Sequence, residues 1–179
     1  MSDVLFADIP TTAFVEPPSL EGVVDHKEHW DRRFLSLAKF ISYWSKDPST
    51  KVGAVIATNH HSHRVVSLGF NGFPKKIWDD PTVLEDRPRK YERVIHAEIA
   101  AIMNARGNVA DCTLYTWWPG MSPCCSRCAL MVIHANIKRV VGVSCLHPEE
   151  ERWKEDKELA LRLFSEAGVD VHLYPITSI

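Results

Sequence analysis

No run of about 18 consecutive apolar residues occurs in this sequence, so no helical membrane span is predicted. An excess of positive charge is also missing. Lys and Arg total 21 against 23 Asp and Glu, for a formal net charge of −2, and the pI is near 6.5. A balance of this kind sets up no molecule-wide field for gripping a polyanion, which speaks against handling of long DNA or RNA. The opening Met1-Ser-Asp-Val-Leu-Phe6 lacks the positively charged start of a secretion signal. An even cysteine framework is absent too: there are five cysteines, three of them between positions 124 and 128. Such a grouping reads as reduced thiols available as ligands, not as disulfides, and places the protein in the cytoplasm. Residues 1–24 have no helical period and carry Pro10, Pro17 and Pro18. This is an extended arm, and two readings fit it: apolar Val4, Leu5, Phe6, Phe14 and Val15 lying on a neighbouring subunit, or a disordered tail.

What is present from residue 25 to residue 179 suits one domain with a full core, in a chain of 179 residues that is 45% hydrophobic. Trp30, Phe34, Leu37, Ile41 and Trp44 recur at helical spacing, predicting a helix that ends near Ser45, with Pro48 beyond it. Lys51–Ala57 and Arg64–Leu68 are Val-rich and joined by a polar, histidine-bearing turn, which predicts a hairpin. Residues 71–93, with Pro74, Pro81 and Pro88, read as a long loop that forms a rim or lid. A helix is expected from His96 to about Arg106, with Ile99, Ala100, Ile102 and Met103 inward and Gly107 as its C-cap. Thr113–Trp117 reads as a strand, followed by a helix opened by Cys125 and Cys128 and running through Ala135. Lys138–Val143 then reads as a strand, residues 149–167 as a helix with Leu159, Leu163 and Phe164 inward and Gly168 capping it, and Val169–Tyr174 as a fifth strand. Strands alternating with helices predict an α/β protein whose mixed five-stranded sheet is covered on both faces.

The chemistry is concentrated between residues 94 and 129. His96 with two or three of Cys124, Cys125 and Cys128 makes a soft nitrogen and sulfur ligand set suited to Zn2+. Three protein ligands leave one position open, the arrangement a catalytic zinc needs. Glu98 is two residues from His96, about 200° around an ideal helix, so the two converge only if His96 stands at the helix start. The carboxylate is then free to move protons instead of binding metal. Either Cys124 or Cys125 pairs with Cys128, because spacings of three and four both share a helical face.

His96-Ala-Glu98 followed by Pro123-Cys-Cys125 and Cys128 matches the zinc nucleobase-deaminase pattern H-x-E…P-C-x-x-C. Asp47-Pro-Ser-Thr-Lys-Val-Gly53, Gly69-Phe-Asn-Gly-Phe-Pro74 and Lys90-Tyr91 sharpen this into a resemblance to deoxycytidylate deaminases from about residue 26 onward. The resemblance implies a three-layer α/β/α cytidine-deaminase-like fold with zinc held between two helix starts. It implies hydrolytic conversion of dCMP to dUMP, with Glu98 as proton shuttle and His96, Cys125 and Cys128 as ligands, the register being counted back from Cys128. It further implies that Asn71 holds the sugar, that the Ala97 backbone contacts the base, and that Ser45, Lys46 and Lys51 meet the phosphate. Trp118 reads either as a stacking wall for the base or as core. The Trp117-Trp-Pro-Gly-Met121 approach and the extra cysteine depart from the usual Pro-Cys-x-x-Cys, and both fall on the pocket rim. A small-molecule nucleotide substrate and a homo-oligomer, dimer or hexamer, follow from the same resemblance. Two other readings stand beside it: a tRNA or single-strand nucleic-acid deaminase, and a non-catalytic zinc scaffold closed by His96 and all three cysteines.

Overall fold

The protein, seen in a computed structural model, is described over residues 26–59, 63–118, 120, 123–144 and 150–179. The arm expected over residues 1–24 lies outside the described residues, as do positions 60–62 of the histidine turn. In chain order the main elements are α1 His26–Ser42, β1 Gly53–Ala57, β2 Val65–Phe70, α2 Pro81–Glu85, α3 Arg87–Tyr91, α4 Ala97–Asn104, β3 Thr113–Trp117, α5 Ser126–His134, β4 Arg139–Ser144, α6 Glu150–Glu166 and β5 Asp170–Pro175. The strands form one sheet in the order β2-β1-β3-β4-β5. The first three are antiparallel to their neighbours, and β3, β4 and β5 run parallel, giving the mixed sheet expected. No helix among the described residues is long and apolar enough to cross a membrane.

Burial on both faces explains why β1 is an unbroken apolar run; β3 is equally buried but sets two threonines among Leu114, Tyr115 and Trp117. Period-two geometry sends Ile56, Leu114 and Val140 to one side, where Ala97, Ala101, Val132, Ala160 and Phe164 of α4, α5 and α6 cover them. Val55, Tyr115 and Val141 point the other way, against Phe34, Leu35 and Ala38 of α1. Two glycines allow close helix approach. A Cβ on Gly53 would lie 1.9 Å from the Ala38 carbonyl oxygen, and one on Gly69 would lie 2.2 Å from that of Ala97. Gly69 therefore fixes how near the first turn of α4 sits to β2.

One buried polar network joins α1 to three strands. Arg139 donates to Asp31 through both Nη atoms, at 2.7 and 2.6 Å, and Tyr115 and Tyr174 hydroxyls donate to the same carboxylate at 3.0 and 2.9 Å. Burial first, then the Asp31 charge, pushes the Tyr115 phenol up; burial and its bond to Asp31 do the same for Tyr174. Removing one member of such a pair leaves a buried charge without its partner, so Asp31→Ala should lower unfolding free energy by about 3 kcal/mol or more in urea denaturation. A loss within about 0.5 kcal/mol would assign the network no net weight.

Several sequence expectations need correction. α1 ends at Ser42, and the chain tightens there into three-residue turns, Tyr43 N–H to Phe40 O and Trp44 N–H to Ile41 O. That change of period swings Trp44 out of the core to 52% exposure, edge-on to Phe40 and Phe70. Residues 71–93 are not a structureless loop but carry α2 and α3, each with proline in its first turn and an aspartate cap, Asp80 and Asp86. In α4 the buried residues are Ala97, Glu98 and Ala101, and Met103 is 69% exposed. The face against β2 has to be small because Gly69 brings the backbones together. α4 closes at Ala105, whose backbone turns extended, and Gly107 lies past the end. In α6 the i, i+4 pair Ala160 and Phe164 faces the sheet and Leu159 is turned to solvent. Gly168 does close α6, at φ +67°.

Candidate metal centre and adjoining cavity

Two helix starts converge to build the site. Gly72 and Ile95 exchange backbone hydrogen bonds of 3.1 and 2.9 Å, which aims the chain into α4. His96 is the N-cap of α4, with extended backbone (φ −73°, ψ 153°), and its ring makes no capping bond. This is the placement that lets His96 and Glu98 turn inward together. Across from it, Thr116 Oγ1 donates to the Pro123 carbonyl at 2.6 Å and holds the approach to α5. Cys125 is the N-cap of α5, its sulfur accepting from the Cys128 N–H at 3.4 Å.

His96 Nδ1 lies 3.3 Å from Cys125 Sγ and 3.4 Å from Cys128 Sγ. The three ligand atoms all lie within 4.8 Å of one another. Zn–S bonds of about 2.3 Å and Zn–N bonds of about 2.0–2.1 Å at tetrahedral angles place such atoms about 3.5–3.8 Å apart, so the trio fits one zinc ion closely. Cys124, the other candidate in the sequence, is fully buried but stands outside this group. Glu98 is 1% exposed, and its Oε2 lies 3.5 Å from Cys128 Sγ.

The electrostatics favour one thiolate. The hydrogen bond from Cys128, aided by His96, pulls Cys125 down to about 4 despite burial. Its partner goes the other way: the bond to Cys125 and burial push Cys128 up. The Cys125 bond raises His96, and burial raises Glu98 and Cys124. A low-pKa thiolate at a helix start, beside an imidazole and a second thiol, is a ready cation ligand.

A small cavity adjoins the metal trio and has His96 in its lining. Ala97 and Glu98 line it beside His96, as do Asn71 and Trp118. Asn71 is braced at both ends of its amide: Oδ1 accepts from the Val52 N–H and Nδ2 donates to the Thr50 carbonyl, each at 2.8 Å. Trp118 meets Trp153 edge-on at 5.6 Å. One turn after Trp153, Asp156 accepts from the Ser126 N–H at 3.0 Å and its hydroxyl at 2.6 Å, pinning α6 to the first turn of α5.

Ser45, Lys46 and Lys51 do not line the cavity. The Ser45 hydroxyl donates to the Asn71 carbonyl at 2.8 Å, Lys46 pairs with Asp79 at 2.6 Å, and Lys51 donates to the Ser45 carbonyl. Sequence reasoning missed Tyr91 and Trp153 as lining residues, and the buried Asp47–Lys90 ion pair at 3.0 Å. Asp47 and Lys90 both stand in motifs that carry the family resemblance, but periodicity says nothing about a pairing 43 residues apart.

Comparison with known proteins points the same way. Residues 28–144 match the model of the cytidine and deoxycytidylate deaminase zinc-binding region. An Aliivibrio fischeri protein described as "Uncharacterized deaminase in luxG 3'region" is 37% identical over 148 residues, 82% of this chain and 95% of its own. Human deoxycytidylate deaminase is 34% identical over 147 residues, covering 78% of this chain and 76% of its own. Among solved structures, the dCMP deaminase of cyanophage S-TIM5 in complex with dCMP and dUMP superposes with a TM-score of 0.62 at 21% identity, covering 84% of this chain and 99% of that one. At that identity the likeness concerns the fold.

Proposed function

The chain belongs to the cytidine and deoxycytidylate deaminase zinc-binding family, and from that premise we propose that it hydrolyses a cytosine nucleotide, dCMP, to dUMP and ammonia. The observation that carries the reading is a buried Glu98 in the lining of a cavity, against the sulfur of a His-Cys-Cys trio that fits zinc. His96, Cys125 and Cys128 would hold the ion. When bound, zinc supplies the Lewis acidity that makes water nucleophilic near neutral pH. Glu98 takes a proton as water adds to C4 of the cytosine and delivers it to ring N3. It then takes the remaining proton from the new C4 hydroxyl and passes it to the exocyclic amine; the C4–N bond breaks, and ammonia leaves as the uracil carbonyl forms. Burial raises the proton affinity of Glu98, and the role asks this carboxylate to accept and return a proton within one turnover. In this reading the Ala97 backbone meets the base, Trp118 walls it, and Asn71 borders the sugar.

The phosphate is assigned to Lys46 and Lys51 with Ser45, because their neighbours Asp47 and Thr50 line the cavity and bring this segment to its rim. One phosphate held by a lysine contributes about 2 kcal/mol, a factor near thirty. Assayed by ammonia release, Lys46→Ala or Lys51→Ala should lower kcat/KM for dCMP by about that factor and leave the weak deoxycytidine rate nearly unchanged. Equal losses on both substrates would assign the lysines to the fold. Oligonucleotides in the same assay distinguish the nucleic-acid reading, which a net charge of −2 disfavours. We also infer a homo-oligomer, supported by the family likeness, and a cytoplasmic setting, supported by the free thiols of Cys112, Cys124, Cys125 and Cys128.

A further inference from the structure

Besides Glu98, Asp47 is the other carboxylate on the cavity lining. Its two oxygens are used very unequally. Oδ1 accepts from the Ser49 N–H and hydroxyl, both at 2.9 Å, from the Thr50 N–H at 3.0 Å, and from Lys90 Nζ at 3.0 Å. Oδ2 accepts no hydrogen bond from any described residue. Burial alone would raise the carboxyl, but the Ser49 amide, Lys90 and the Thr50 amide outweigh it and hold Asp47 below the usual carboxylate range. An ionised carboxylate with 5% of its side chain exposed, held rigidly by one oxygen while the other is left to a ligand cavity, is a positioned acceptor in need of a donor.

The chemistry of the substrate says which donor. Accepting the deaminase reading above, on which this inference rests, C4 and its amine have to lie against Glu98 and the metal trio. Deoxycytidylate carries two kinds of hydrogen-bond donor, the 4-amino group and the 3′-hydroxyl. The first is committed at Glu98 and the metal trio, and the phosphate is an anion that a carboxylate repels. Asn71, the neighbouring polar side chain, already has each end of its amide bonded to backbone. We propose that Asp47 is a substrate-binding residue whose Oδ2 accepts a hydrogen bond from the 3′-hydroxyl of the nucleotide and whose charge excludes cytosines bearing a 3′-phosphate. Lys90 is then the positioning residue, fixing Oδ1 so that Oδ2 keeps its aim. Selection for a free mononucleotide over a nucleotide within a strand follows, since an internal residue has lost the donor and brings a negative charge in its place.

The test compares three substrates on the zinc-loaded wild-type enzyme: dCMP, 2′,3′-dideoxycytidine 5′-monophosphate and deoxycytidine 3′,5′-bisphosphate. Loss of a hydrogen bond to a charged acceptor should lower kcat/KM for the dideoxy compound by about tenfold to a hundredfold. The bisphosphate should fall further still. Asp47→Asn keeps the shape and removes the charge, so the penalty on the bisphosphate should shrink at least about tenfold while zinc content stays at the wild-type level. A purely structural Asp47 would leave both substrate ratios where they were. Equal wild-type turnover of dCMP and the dideoxy compound overturns the proposal even if the variant fails to fold. Absence of any turnover of dCMP overturns instead the deaminase reading beneath it.

Discussion

Glu98→Gln should retain one zinc per chain and a native fold while losing at least about a hundredfold in kcat. Glutamine has nearly the same shape, so the buried packing next to Cys128 is kept. What disappears is the capacity to take a proton at one point of the turnover and give it back at another. Metal analysis and circular dichroism would report an intact site, and ammonia release from dCMP would report the loss. Activity within a few-fold of wild type would end the proton-shuttle role proposed for Glu98.

Cys125→Ser should lose zinc, whereas Cys124→Ser should keep it. The two residues are adjacent and both buried, yet only Cys125 has its sulfur within reach of His96 Nδ1, at 3.3 Å. Its thiol is drawn down to about 4 and offers a thiolate at neutral pH, which a serine hydroxyl does not replace. Cys124 is pushed well up by burial, the behaviour of a packed thiol. Loss of one of three ligands weakens binding by far more than the tenfold to hundredfold typical of perturbing a supporting group. Atomic spectroscopy on dialysed protein decides the pair directly. Zinc lost from Cys124→Ser and kept by Cys125→Ser would mean that α5 begins one residue earlier than the fold has it.

The parts of the site that could be read in advance are those written locally. His96-Ala-Glu98 and Cys125-x-x-Cys128 sit at helix starts, and cap geometry decides within three residues where their side chains go. β1 was legible because a strand covered on both faces reads as an unbroken apolar run. Features set by tertiary contact were not. Trp44 continues the α1 spacing, but the helix stops at Ser42 and a tighter turn points it outward. The small inner face of α4 is dictated by Gly69 on a different element. Trp153 reaches the cavity because Asp156 ties α6 to Ser126, and neither residue belongs to a recognisable pattern. The Asp47–Lys90 pair closes across 43 residues, beyond the range of any periodicity.

The carboxylate of Asp31 has a bearing on how the chain is made. It belongs to the first described helix, yet its partners lie 84, 108 and 143 residues downstream at Tyr115, Arg139 and Tyr174. At a synthesis rate of about 5–20 residues per second, α1 leaves the ribosome on the order of ten seconds before β5 supplies the last of those bonds. Throughout that interval the apolar side of α1, Phe34, Leu35 and Ala38, has no completed sheet to cover it. The helix that shields the centre of the sheet is thus among the first pieces translated and the last to be locked. A chain stalled before residue 170 would carry all the strands that cover α1 but would lack the Tyr174 bond that completes the Asp31 network.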